Sequence, residues 1–164
     1  MNILANGIGL PPVEVEMLAI ASQLHDIGKI ALPEPLRTNK GNLSVADMEA
    51  TNKHTNVGAD LLRESQIQVF QMGATICLSH HERWDGSGYP QGTRGAQIPI
   101  SGRITSLADV FDALTTSRSY KKEVPLPEAR RLILETSGQL FDPELVQIFD
   151  DHFDDFYRIR QINI

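Results

Sequence analysis

The histidines are the side chains best suited to chemistry in this sequence. Five occur in 164 residues, and four of them lie near the ends of apolar segments with helical spacing: His25, His54, His80 and His81. Imidazole is the commonest transition-metal ligand in proteins. Asp26 follows His25, and a carboxylate can bridge two ions while the neighbouring imidazole binds one of them. A single buried histidine is more often a structural residue, but four together, two of them adjacent, favour a metal site.

A polar stripe later in the chain could supply a further ligand. Four residues recur at helical spacing opposite an apolar stripe of the same predicted helix: Thr105, Asp109, Asp112 and Thr116. A solvated face is the commoner origin of such a stripe. This one contains neither Lys nor Glu, which a solvated face usually presents, so we interpret it as the wall of a polar pocket. Asp109 could then be a metal ligand.

Basic side chains near these candidates indicate a phosphate-containing substrate. Lys29 follows Asp26 by one helical turn. Three more cations follow the helix of the polar stripe: Arg118, Lys121 and Lys122. Arginine grips a phosphate through two hydrogen bonds, and lysine acts as a point charge. Two metal ions a few ångströms apart can clamp a phosphoester and activate water. The mixed ligands favour two divalent transition ions, iron or manganese first, with zinc, nickel and cobalt as alternatives.

The composition excludes several other classes of protein. The chain has 21 acids against 15 bases, a formal charge of −6, whereas a nucleic-acid duplex requires a broad basic face on its partner. Cys77 is the single cysteine, so no internal disulfide can form and a reducing compartment is expected. No run of about 18 apolar residues could span a membrane, and residues 1–10 lack the basic start of a signal peptide. We therefore predict a cytoplasmic protein.

Hydrophobic periodicity predicts an all-α fold that would hold these side chains in place. No segment alternates over the length of a strand, and we predict about six or seven helices. Their predicted ranges are 13–27, 44–54, 55–65, 67–82, 100–116, 127–138 and a final helix from 142. Segment 85–99 is rich in glycine and proline, so it must be an irregular loop. Long loops in compact domains are often functional.

Together these residues resemble the HD-GYP subgroup of the HD superfamily of metal-dependent phosphohydrolases. Residues 25–29 (HDIGK) resemble the HD motif, and residues 80–90 (HHERWDGSGYP) resemble the extended signature of the subgroup. Residues 109–115 (DVFDALT) and 138–143 (GQLFDP) are also similar to it. The motifs occur in the family's order and span nearly the whole chain, so we identify residues 1–164 as a single HD-GYP-like catalytic domain.

The resemblance implies a fold, a reaction and roles for the matching residues. It implies an HD-domain-like helical bundle that hydrolyses cyclic di-GMP to pGpG, GMP or both, through a hydroxide that bridges two metal ions. The implied metal ligands are His25, Asp26, His54, His80, His81 and Asp109, with Asp26 bridging. Asp26 and Lys29 are the implied catalytic residues, and the implied substrate contacts are Lys29, Tyr89, Arg118 and Lys121. Proteins with a diguanylate cyclase (GGDEF) domain are the implied partners.

One departure from the family pattern affects the expected activity. Family members have a helix ahead of the one that ends in the HD pair, and that helix supplies further ligands. Residues 1–10 contain neither a histidine nor an acid, so we expect the usual first helix to be missing. We therefore expect the site to bind two ions with unequal affinity. We also expect slow turnover unless metal is added. The alternatives are a non-catalytic nucleotide receptor and an HD phosphohydrolase of another nucleotide.

Overall fold

The fold is built from α-helices and short 3₁₀ turns. The structure is a computed structural model that describes residues 1–38, 41, 44–117 and 122–162. Within those ranges the α-helices are α1 (Asn2–Gly7), α2 (Pro12–Ala21), α3 (Glu34–Arg37), α4 (Val45–Asn52), α5 (His54–Leu62), α6 (Gln68–Ser79), α7 (Ile100–Thr115), α8 (Leu126–Glu135), α9 (Pro143–Asp151) and α10 (Phe153–Ile162). The described ranges contain no strand, which confirms the predicted all-α fold. None of these helices is long and apolar enough to cross a membrane.

The helices are more numerous than the periodicity predicts, for two reasons. Two of the additional helices are short, since α1 has six residues and α3 has four. Another arises because the predicted final helix is divided at His152 into α9 and α10. Asp150 and Asp151 place negative charge at the C-terminus of α9, where the helix dipole disfavours it. Asp154 and Asp155 lie in the first turn of α10, where the helix dipole favours negative charge.

Helix α1 contributes to the core. Leu4 and Ala5 of this helix are fully buried, and α1 packs on α2 and α9. The contact with α9 is close at Gly7, because a Cβ there would overlap the side chain of Ile148. A helix therefore does precede α2, and it offers neither an imidazole nor a carboxylate.

Helices α6 and α7 lie at the centre of the fold. Helix α6 packs against α2, α5 and α7, and α7 also packs against α8 and α9. Four phenylalanine rings of α7, α9 and α10 meet edge to face, with centroids 4.9–5.7 Å apart: Phe111, Phe149, Phe153 and Phe156. Burial of each such side chain stabilises the fold by roughly 1.5–3 kcal/mol. The core thus holds in place the two helices that position His80, His81 and Asp109.

The predicted helix 13–27 ends earlier than its periodicity indicates. Helix α2 ends at Ala21, and two 3₁₀ turns follow, Ser22–Leu24 and Ile27–Ala31. The carbonyl of Ser22 accepts hydrogen bonds from the backbone N–H and from the Nδ1–H of His25, at 3.2 and 2.7 Å. It is therefore not available for an α-helical bond with Asp26. As a result, His25 and Asp26 lie between two tight turns and not on a regular helix.

Candidate metal centre

The six side chains predicted to bind metal lie close together, although they come from separate elements. They are supplied by the 3₁₀ segment after α2, by the first residue of α5, by the end of α6 and by α7: His25, Asp26, His54, His80, His81 and Asp109. Gly28 allows the second 3₁₀ turn to lie directly on α5, since a Cβ there would overlap the carbonyl of His54 and crowd the backbone nitrogen of Gly58. The fold thus brings Asp26 to His54.

Four of these side chains offer ligand atoms that converge. One atom from each of Asp26, His54, His80 and His81 lies within 4.8 Å of the other three. The Nε2 atoms of His54 and His80 are 3.5 Å apart. They lie 3.3 and 3.9 Å from Oδ1 of Asp26. This group, which we call the four-residue group, could hold one metal ion.

His25 and Asp109 extend the four-residue group on the other side of Asp26. Nε2 of His25 lies 3.4 Å from Oδ2 of Asp26 and 3.7 Å from Oδ1 of Asp109. Hydrogen bonding to Asp26 raises the pKa of His25, because the carboxylate stabilises the protonated ring. The two oxygens of Asp26 therefore face different imidazoles, which is the arrangement that a bridging carboxylate requires.

Backbone carbonyls orient three of the imidazoles. In each ring Nδ1–H donates to a carbonyl three or four residues earlier, at 2.7–2.9 Å: His25 to Ser22, His54 to Thr51 and His80 to Ile76. A carbonyl can only accept, so the proton of the neutral ring is on Nδ1 and the lone pair is on Nε2. Sequence reasoning missed these partners, because every residue has a carbonyl and the residue type gives no signal.

The surroundings favour the protonation states that a metal requires. Burial lowers the pKa of His80 to about 4 and that of His81 to about 3, and neighbouring histidines add to both shifts. Burial by itself would raise the pKa of Asp26, but hydrogen bonds from His25 and Lys29 hold it below its ordinary value. The pKa of His54 is also lowered by burial, so the four-residue group combines neutral imidazoles with an ionised carboxylate, the forms that bind metal.

The four-residue group fits a divalent cation. Oδ1 of Asp26 is buried and accepts no hydrogen bond from the described residues, although it faces the Nε2 atoms of His54 and His80. Burial of a carboxylate oxygen without a donor is unfavourable. A cation placed between this oxygen and the imidazole lone pairs would remove that penalty, and mixed nitrogen and oxygen ligands suit divalent transition metals.

Of the four residues predicted to contact substrate, two lie at the site and two lie outside the described residues. Nζ of Lys29 donates to Oδ2 of Asp26 at 2.5 Å, so this cation lies at the site. The ring of Tyr89 stacks on the ring of His81, with centroids 4.8 Å apart and planes 25° from parallel. The GYP motif indicated the loop but not this contact. Arg118 and Lys121 lie outside the described residues.

Asp109 lines two clefts. One, of about 250 Å³, is lined by His25 and by three residues of the polar stripe of α7. The other, of about 140 Å³, is lined by His80, His81 and Arg83. A larger cavity of about 350 Å³ lies between α1, α7 and α10, and none of the six candidate ligands lines it. Three residues of the stripe on α7 thus border the first of these clefts.

The chain matches a known protein family over most of its length. The family model described as HD domain matches residues 2–145. The chain belongs to the HD domain family, which confirms the family predicted from its motifs.

Two curated relatives and one solved structure are similar to this chain over most of its length. The chain is 43% identical over 158 residues to a cyclic di-GMP phosphodiesterase of Thermotoga maritima, a match that covers 94% of this chain and 43% of the relative. It is 41% identical over 157 residues to a 3'3'-cGAMP-specific phosphodiesterase of Vibrio cholerae, covering 96% of this chain and 30% of the relative. The crystal structure of a cyclic GMP-AMP specific phosphodiesterase of V. cholerae matches with a TM-score of 0.68 and 22% identity, over 93% of this chain and 41% of that one. At that identity the structural match shows the fold alone.

The chain is shorter than the proteins it resembles. It spans 43% and 30% of the length of the two curated relatives above. It spans 38% of a cyclic di-GMP phosphodiesterase response regulator of Xanthomonas campestris, to which it is 42% identical.

Proposed function

We propose that this chain is the catalytic domain of a metal-dependent phosphodiesterase that hydrolyses cyclic dinucleotides. The observation that supports this most is the convergence of one carboxylate and three imidazoles within 4.8 Å. The substrates that appear in the names of the relatives, cyclic di-GMP and 3'3'-cGAMP, are both cyclic dinucleotides. A cluster of this kind in an HD domain favours phosphoester hydrolysis over a purely structural role.

Each side chain of the site has a proposed task. Asp26 would bridge two positions through its two oxygens, with the first completed by His54, His80 and His81 and the second by His25 and Asp109. When bound, two divalent ions supply positive charge that polarises a phosphodiester and lowers the pKa of the attacking water. The ammonium of Lys29, which lies beside Oδ2 of Asp26, would donate to a phosphate oxygen.

The two clefts support a substrate with two halves. Asp109 lines both clefts, so a ring with two nucleotides could place one half in each while a phosphodiester lies at the metal group. We propose cyclic di-GMP as the substrate, with pGpG, GMP or both as products. The relative specific for 3'3'-cGAMP makes the mixed cyclic dinucleotide a second candidate. Diguanylate cyclase (GGDEF) proteins, which would supply cyclic di-GMP, are the proposed partners.

Product analysis tests the proposal. The chain, loaded with Mn²⁺ or Fe²⁺, is incubated with cyclic di-GMP or with 3'3'-cGAMP, and the nucleotides are separated by chromatography. We expect linear products only when metal is present, and none from Asp26→Asn, which weakens the bridging carboxylate. Comparable hydrolysis by metal-free protein would contradict the assignment.

A non-catalytic receptor is the second candidate, and one observation favours it. Among the described residues, the second metal position has fewer protein ligands than the first, since His25 and Asp109 accompany Asp26 there. A weakly held second ion would reduce turnover without preventing nucleotide binding. Nucleotide binding with no product under any metal condition would favour the receptor over the enzyme.

A further inference from the structure

His81 is oriented differently from the other histidines of the site. The rings of His25, His54 and His80 each donate to a backbone carbonyl, whereas the ring of His81 makes no hydrogen bond with any residue in the described ranges. Its neighbours are rings instead, with centroids 4.0 Å away at His80, 5.2 Å at His54 and 4.8 Å at Tyr89. Of these ring contacts, only the one with Tyr89 comes from outside the candidate ligands.

The backbone of the loop that follows α6 holds Tyr89 against His81. The N–H of Tyr89 donates to the carbonyl of His81 at 3.2 Å. Gly88 lies directly against the chain, because a Cβ there would overlap the carbonyl of His81 and the backbone of Glu82 and Arg83. The loop therefore folds back on the residues that follow α6, and the ring of Tyr89 returns to the ring of His81.

Glu82 holds the far side of the same loop. It is 3% exposed, and both of its carboxylate oxygens accept backbone hydrogen bonds. Oε1 accepts from the N–H of Gln91 at 2.7 Å, and Oε2 accepts from the N–H of Thr93 at 3.0 Å. Hydrogen bonds to an ionised acceptor are among the stronger ones in proteins. Glu82 is not a member of the four-residue group, so its burial has another reason.

We propose that Glu82 is a positioning residue for the metal site. It holds the loop of residues 88–93, the loop holds Tyr89, and the ring of Tyr89 keeps the ring of His81 in the orientation that metal binding needs. This inference rests on the proposed function, in which His81 is a ligand. It also gives Tyr89 a role apart from the predicted substrate contact.

Co²⁺ binding to three variants of the whole chain tests this role. In Glu82→Gln an NH₂ group replaces one acceptor oxygen, so one of the two loop N–H groups loses its partner. We expect Glu82→Gln and Tyr89→Leu each to weaken Co²⁺ binding about tenfold or more, the usual effect of losing a group that orients a ligand. The visible absorption of bound Co²⁺ should change in both variants. Tyr89→Phe keeps the ring and should retain the wild-type affinity and spectrum.

The double variant Glu82→Gln/Tyr89→Leu tests whether the two residues act in sequence. If Glu82 acts through Tyr89, the Co²⁺ affinity of the double variant should equal that of the single variant with the lower affinity. The reason is that residues acting in sequence give non-additive effects. The matched control is Glu64→Gln, whose side chain is 90% exposed and should leave Co²⁺ binding unchanged.

Trp84 reports on the loop without any metal. It is the single tryptophan of the chain. Its carbonyl accepts from the N–H of Gly95 at 2.9 Å, and the guanidinium carbon of Arg103 lies 5.8 Å from the centre of its ring. We expect Glu82→Gln to shift the fluorescence emission of Trp84 in metal-free protein and to increase its quenching by acrylamide. Glu64→Gln should change neither.

Two outcomes would overturn the inference while leaving the proposed function intact. One is an unchanged Co²⁺ affinity in Tyr89→Leu with only a higher KM for the cyclic dinucleotide, because Tyr89 would then serve the substrate alone. The other is additive losses of affinity in the double variant, because Glu82 would then not act through Tyr89. If the wild-type chain itself binds no Co²⁺, the proposed function and this inference fail together.

Discussion

The two carboxylate oxygens of Asp26 have different surroundings, and the difference predicts unequal metal positions. Oδ1 is buried and faces the Nε2 atoms of His54 and His80. Oδ2 accepts from the ammonium of Lys29 and faces His25. The first position therefore has more nitrogen ligands than the second. At the second position, the carboxylate oxygen also accepts a hydrogen bond from Lys29.

Single histidine substitutions should affect the two positions differently. We expect His54→Ala to lose about one tightly held ion per chain, because it removes a nitrogen of the four-residue group. His25→Ala should instead lose the weakly held ion, so its metal content after extensive gel filtration should equal that of wild type. Elemental analysis measures both. His152→Ala is the control, because His152 is exposed and pairs with Asp155. Equal losses in both variants would refute the distinction.

Lys29→Ala should weaken substrate binding and leave the metals in place. A hydrogen bond to a charged partner is typically worth about 1.5–3 kcal/mol, which corresponds to a loss of about tenfold or more. Titration with a non-hydrolysed cyclic dinucleotide analogue, beside elemental analysis, separates the two effects. Arg158→Ala, at a position whose side chain is 76% exposed on α10, should change neither. Loss of metal from Lys29→Ala would assign this lysine to the metal centre and not to the substrate.

At the scale of the elements, the contact between the second 3₁₀ turn and α5 determines the distance from Asp26 to His54. Gly28 lies at that contact with no room for a side chain, because a Cβ would overlap the carbonyl of His54. The neighbouring atoms belong to backbone, which cannot turn aside as the end of a side chain can.

Gly28→Ala should therefore destabilise the fold and weaken metal binding together. We expect a loss of about 1–3 kcal/mol in the free energy of unfolding, the usual range for overpacking, measured by urea denaturation of metal-free protein. Gly73→Ala in α6 is the matched control. Its added Cβ would meet the side-chain ends of Leu24 and Leu62 at 3.2 Å, and these ends can shift. A Gly28→Ala chain as stable as Gly73→Ala would contradict the close packing.

At the scale of the whole molecule, metal binding should stabilise the fold in two steps. An ion that binds only the folded chain at 100 times its Kd adds about 2.7 kcal/mol to the free energy of unfolding. We expect the thermal midpoint to rise at low Mn²⁺ concentration and again at a higher one, with hydrolysis appearing mainly in the second step. Calorimetry and product analysis over one Mn²⁺ titration measure both. A single step in which both ions bind together would contradict unequal affinities.

Much of the candidate site was predictable from the sequence, because the relevant signals are local. The residue types of the ligands, the helical periodicity of the segments that end in them and the glycine-rich loop can all be read from neighbouring residues. The all-α class followed from the absence of alternation. The division at His152 was harder to predict, because the apolar stripe of Phe149, Phe153 and Phe156 continues through the break.

The sequence by itself determined which side chains could bind a metal and which family the chain belongs to. The tertiary structure decided how these side chains are oriented. The carbonyl of Ser22 interrupts α2 at the HD pair, and Glu82 holds the loop that stacks Tyr89 on His81. These contacts depend on backbone groups, which every residue has, and on distances across the fold. Residue type and spacing do not encode them, so they become visible only when the helices are packed.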